Sequence, residues 1–249
     1  MIDHPFYVGY VARSTQAVAQ FIRPRLTLLV ALLAALAVVA AAAGAPLGNG
    51  RFEYGTMQSF EGRIIEAPYP MLAVRRAADH RSTWSYYFLA GPGKHGAGPE
   101  VSGLDGKTVR LAGTAAHRDG ETLIEVAARP DTLPNDPEPL DSLIALGGVT
   151  LTGEIVDGKC HLGVMVPGEG PTHRGCAVRC ISGGAPAFFV AHDSAGTAFR
   201  FLLVDSQLKP VGRRVLDVVA TPVRVTGQAF RRGDLYYLAA EPSTYQRLP

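Results

Sequence analysis

Cysteine, lysine and tryptophan are all scarce in this chain of 249 residues. It carries three cysteines, four lysines (Lys94, Lys107, Lys159 and Lys209) and a single tryptophan, Trp84. Three cysteines are too few for the disulfide framework of a small secreted scaffold, and their odd number leaves at least one thiol without an intramolecular partner. Positive charge falls mainly to arginine, the formal net charge is only +2, and no long basic run occurs. That removes the electrostatic footprint of a nucleic-acid binder, so no nucleic-acid partner is expected. The sequence also lacks a dinucleotide fingerprint, a P-loop, an HExxH helix, a nucleophile elbow and a pair of spaced carboxylates, which leaves the common hydrolase and nucleotide chemistries without a signature. What is abundant is alanine, glycine and arginine, a composition in keeping with a GC-rich bacterial coding sequence. At 47% hydrophobic residues the chain is too apolar to be disordered.

Much of that apolar content sits in one place. Residues 26–45, LTLLVALLAALAVVAAAAGA, carry no charge. At 1.5 Å per residue this run can cross a hydrocarbon core about 30 Å thick. Arg13, Arg23 and Arg25 precede it, and the first charges after it are Arg51 and Glu53. The positive-inside rule then predicts a single-pass inner-membrane protein with residues 1–25 as a cytoplasmic tail and the rest periplasmic. Tyr7, Tyr10 and Phe21 in the tail suit the membrane interface. The rival reading is a cleaved signal peptide, since Ala41, Ala43 and Ala45 offer small-residue cleavage patterns. A charged leader of about 25 residues and an apolar run beyond the usual 7–15 count against it.

Beyond the anchor, helical periodicity is rare and strand alternation common. Two stretches repeat one pattern. The first copy, 52–128, opens with a strand around a glycine at 60–66, has a middle strand at 84–89, and closes with a hairpin of 108–114 and 122–126 about a turn at Arg118-Asp119-Gly120. The second, 142–249, does the same at 151–157, 199–204, and 222–228 with 235–238 about Arg232-Gly233-Asp234. Gly-containing turns between alternating apolar runs signal hairpins, and glycine inside a strand marks a barrel corner. The expected fold is all-β: two tandem small OB-like β-barrels preceded by one transmembrane α-helix, with a β-sandwich as the competing architecture. Residues 129–141, RPDTLPNDPEPLD, read as a stiff proline-rich linker, and 140–146 as a short helical turn.

The copies differ at one place. The second has an insertion, 158–184, that holds Cys160, Cys176 and Cys180. After a Gly/Pro loop, Pro171 or Thr172 can start a helix that Gly183 and Gly184 end. Residues three, four and seven apart share a helix face, so His173, Cys176 and Cys180 line one stripe, with Cys160 approaching from the preceding strand. Three readings follow. Cys160, His173, Cys176 and Cys180 suit a metal site, zinc when four-coordinate or copper(I) with fewer ligands, with His161 and Met165 as possible additional ligands. Cys176 and Cys180 could instead form a thiol redox pair, with Arg174 and Arg179 nearby. A disulfide from Cys160 to the helix would merely pin the insertion.

The Cys-x-x-x-Cys of Cys176 and Cys180 with His173 is similar in type to the copper-carrier motif of Sco proteins. Those proteins have a thioredoxin-like fold, of which this chain shows no pattern, so the likeness covers four or five residues. A single-span anchor bearing a small barrel also resembles the haem chaperone of cytochrome c maturation, whose His-x-x-x-Tyr attachment motif is absent here. The functional expectation is a non-enzymatic accessory protein or subunit of a membrane-bound redox or respiratory complex. The Gly-rich loop around Lys94 and His95 reads as a flexible hairpin loop. His80, His117 and His192 read as solvated, and Asp79, His80 and Ser82 form no triad.

Overall fold

The computed structural model describes residues 15–44, 50–76, 84–134, 138–193 and 195–248. Tyr7, Tyr10, Arg13, the segment with Asp79, His80 and Ser82, and the centre of the proline-rich linker lie outside the described residues. The chain divides into two compact units, one ending at Gly48 and one running from Asn49 to the C-terminus.

The first unit is a single helix, α1 (Gln16–Gly44). It begins ten residues before the uncharged run and takes in Arg23, Pro24 and Arg25. The Arg25 guanidinium lies 3.7 Å over the Phe21 ring. By length and composition α1 can cross a membrane.

The second unit holds two closed five-stranded barrels. The first uses β1 (Gln58–Ile65), β2 (Met71–Arg75), β3 (Trp84–Ala90), β4 (Thr108–Arg118) and β5 (Glu121–Val126). Their order is β1-β2-β3-β5-β4, and β4 closes back on β1; only the β3–β5 pair is parallel. The second uses β6 (Ile144–Asp157), β7 (Ala187–His192), β8 (Ala198–Val204), β9 (Pro222–Arg232) and β10 (Leu235–Ala239). It repeats the order, β6-β7-β8-β10-β9 and back to β6, with β8–β10 the parallel pair. Both are OB-like barrels, and closure rules out the sandwich.

The paired glycines explain the closure. A Cβ on Gly62 would stand 2.3 Å from the Ala73 carbonyl oxygen, and one on Gly153 2.2 Å from that of Val190. Gly113 and Gly227 in the penultimate strands meet Glu125 and Ala239 carbonyls in the same way. These strands bend so tightly over their neighbours that only hydrogen fits. Asp119 and Gly120, both with positive φ, turn the β4–β5 hairpin as a type I′ turn would.

The barrels are fused by a shared core. Ile64, Leu72, Leu89, Val109, Leu111 and Ile124 fill the first. The alternate residues of the same strands, among them Ile65, Met71, Phe88 and Leu123, join Val156, Phe188 and the rest of the second barrel in one continuous cluster. Phe88 meets Phe188 edge to face at 4.7 Å. The buried Tyr69 hydroxyl donates to the Leu203 carbonyl (3.3 Å) and accepts from the Val211 amide (3.2 Å), a second tie between barrels. The described ends of the linker lie against the first barrel. Asp131–Thr132 pairs with β4, the Trp84 indole donates to the Pro139 carbonyl, and the Tyr86 hydroxyl bonds Asp141. The helical turn expected at 140–146 does not form: Ile144 already begins β6, because Ile144 and Ala145 pair with Arg231 and Phe230 of β9.

Candidate metal and thiol centre

The insertion folds around the end of β6. The strand stops at Asp157, whose carboxylate Oδ1 accepts the Cys160 amide at 2.8 Å and turns the chain into a wide helical turn, Cys160–Val164. Gly158 has no Cβ to obstruct the Phe188 ring, which such an atom would meet at 2.9 Å. The Gly/Pro loop is tied back where the Gly170 amide donates to Glu154 (2.6 Å). A 3-10 turn, Pro171–His173, then leads into α2 (Arg174–Ser182). Of the two possible starts, Pro171 opens the turn with proline's preset φ, and no side chain caps either element. Gly183 ends α2, its amide donating to Arg179 and Cys180 carbonyls.

This folding brings the cysteines together. Cys160, Cys176 and Cys180 carry free thiols, and their sulfurs all lie within 4.8 Å of one another, a cluster that can hold a metal ion. Cys160 and Cys176 sulfurs are 3.5 Å apart. Cys160 and Cys180 are buried, and Cys176 is partly open. The hydrogen bond Cys160 shares with Cys180, then burial and the nearby Asp157 charge, push the Cys160 thiol well above its ordinary range. The same bond, opposed by burial, lowers Cys180.

His173 stands on the adjoining flank. Its Nε2 donates to Asp157 Oδ2 at 2.8 Å, and both side chains are buried. His173, Asp157 and Cys160 form a second group whose ligand atoms lie within 4.8 Å of one another, joined to the first through Cys160. The structure thus divides the predicted set into three sulfurs and a carboxylate-held imidazole beside one of them. His161 faces elsewhere. Arg118 donates to its Nδ1 at 2.8 Å and to its carbonyl at 3.0 Å, and Glu169 lies 3.4 Å away. Burial and the Arg118 charge push the His161 imidazole down to about 2. Met165 is half exposed at the end of the wide turn.

The first barrel completes the site. The Lys94 ammonium donates to Cys176 Sγ at 2.7 Å, a bond that raises the Lys94 pKa. Its loop, expected to be a flexible hairpin connection, is packed. The buried Lys159 donates to the carbonyls of Gly91 (2.7 Å) and Gly93 (2.8 Å) and pairs with Glu125. The Gly96 amide donates to the Gly183 carbonyl, and a Cβ on Gly183 would stand 2.0 Å from the Lys94 carbonyl oxygen. Asp157, Lys94 and Lys159 were not visible as site residues in the sequence. A lone lysine 82 residues from its sulfur carries no local signal, although two of only four lysines flanking one cluster is a compositional hint. His117, read as solvated, is half exposed on β4, where it bonds Thr122 and faces Glu53. No family model matches the chain, and no curated protein matches it either.

Proposed function

We propose that the protein is a membrane-anchored extracytoplasmic accessory factor or subunit of a membrane redox complex that binds a soft metal ion through Cys160, Cys176 and Cys180. The observation that carries the reading is the convergence of three free sulfurs within 4.8 Å of one another. Thiolates select copper(I) and zinc over harder ions. Three sulfurs make a trigonal copper(I) site, and zinc would recruit His173 as its fourth ligand. The His173–Asp157 pair supports that role, since ligating histidines characteristically donate their other ring N–H to a carboxylate. Helix α1 supports the anchoring, and the charge distribution around residues 26–45 supports an extracytoplasmic barrel pair.

The test is metal analysis of reduced, detergent-purified full chain, with copper(I) and zinc titrations against a chromophoric chelator. One equivalent of either metal, lost in Cys176→Ser, is the expected result. Absence of stoichiometric binding of both would overturn the reading.

A further inference from the structure

We propose that Cys160 and Cys176 also form a thiol–disulfide exchange couple, with Lys94 of the first barrel as its positioning residue, so that the same sulfurs bind metal when reduced and exchange disulfides when metal-free. This deepens the metal reading for the same site, but its pairing differs from the Cys176–Cys180 pair suggested by the motif. Three observations carry it. Cys176 is the most exposed of the three sulfurs and so meets a bulky reagent first, whereas Cys180 is almost fully buried. Cys160 Sγ stands 3.5 Å from Cys176 Sγ, close enough that a small rotation brings it to bonding distance. The Lys94 ammonium, 2.7 Å from Cys176 Sγ, puts positive charge beside the sulfur that carries negative charge as it attacks. The loop bearing Lys94 is fixed to the second barrel by Lys159 and by the Gly96–Gly183 bond, so this charge is held in place by the junction of the two barrels.

The step balances with a disulfide, RSSR, as oxidant. Cys176 releases its proton to solvent and, as the thiolate, attacks one sulfur of RSSR, breaking its S–S bond, forming Cys176–S–S–R and releasing RS⁻. Cys160 gives its proton to solvent and attacks the Cys176 sulfur. The Cys160–Cys176 bond forms, the second RS⁻ leaves, and both thiolates take up protons as RSH. Two cysteines are oxidised by two electrons and one disulfide is reduced to two thiols. The bond removes two of the three sulfur ligands, so exchange and metal binding exclude one another.

The experiment uses reduced, metal-free full chain in detergent, exposed to oxidised glutathione, with thiol titration and peptide mapping. Free thiols should fall from three to one per chain, with Cys160 bridged to Cys176 and Cys180 free. Cys160→Ser should stop at a glutathione adduct on Cys176, and Cys180→Ser should still form the bridge. Lys94→Met should slow adduct formation about tenfold, and Lys94→Arg should restore it. A bridge mapped to Cys180, or three thiols that persist under oxidant, overturns the proposal. So does unchanged exchange in Lys94→Met for the lysine's part in it. If the bridge forms but reduced protein binds neither copper(I) nor zinc, the metal reading falls and the exchange couple stands. If metal binds and no bridge forms, the reverse holds.

Discussion

Asp157 holds two parts of the centre at once. One carboxylate oxygen fixes the Cys160 amide, the other fixes His173 Nε2, and the side chain is fully buried. Replacing it with asparagine keeps an acceptor for Cys160 but withdraws the charge from the imidazole. Asp157→Asn should therefore weaken zinc about 10- to 100-fold, the usual cost of losing an outer-shell carboxylate, while copper(I) held by three sulfurs changes less. Competition titrations of both ions against one chelator check this, and equal losses for the two would show that His173 is no nearer to zinc than to copper. Tyr69 offers a second test at this scale. Burial raises its pKa from 10 to about 12. The unfolded chain therefore loses the phenol proton first, the folded protein binds more protons between those values, and stability falls as pH rises from 10 toward 12. The slope approaches about 1.4 kcal/mol per pH unit in that window. Comparing urea midpoints of Tyr69→Phe with the parent isolates it: the variant should start about 1 kcal/mol lower and lack this part of the alkaline decline.

At the scale of elements, the loop of residues 91–98 and helix α2 meet backbone to backbone. Gly183 and Gly96 allow that approach, since a Cβ on Gly96 would stand 2.1 Å from the Gly184 carbonyl oxygen. Gly183→Ala should push the loop away, costing about 1–3 kcal/mol of stability, within the range for introduced backbone clashes. It should also slow alkylation of Cys176 toward the level of Lys94→Met, because both changes take the ammonium from the sulfur. Denaturant melts and alkylation rates measured on the same variants check this; a stability loss without a reactivity loss would mean that Lys94 reaches Cys176 independently of its loop. Two strands had no visible alternation in the sequence for a related reason. β2 is buried at Met71, Leu72 and Ala73 in succession, and β7 from Ala187 to Ala191. Strands covered on both faces lose the period of two that marks a half-exposed strand. β9, which alternates from Pro222 to Ala229, is by contrast a strand whose first seven residues were readable.

For the whole globular unit, the shared core predicts one cooperative transition rather than two. Phe188 is the central contact, buried against Phe88 of the other barrel. Phe188→Ala should cost about 3–5 kcal/mol and lower the melting of both barrels together. Fluorescence of Trp84 in the first barrel and far-ultraviolet circular dichroism should give coincident curves for parent and variant. Separate midpoints would show that the barrels fold independently and that their junction, with Lys94 in it, is a late docking event.

What the residues alone determined follows from local and periodic rules. The uncharged stretch of 26–45, the glycine-marked hairpins, the doubling of one strand pattern and the placing of Cys176 and Cys180 on one short helix were readable, because each is set by neighbours within a turn or a strand. Only tertiary structure decided the rest. It set the Cys160 sulfur 3.5 Å from that of Cys176, drew His173 away to Asp157, turned His161 to Arg118, and brought Lys94 across 82 positions to Cys176. Those pairings depend on two barrels burying a common apolar face, and the sequence separation of the partners leaves no periodicity from which they could be read.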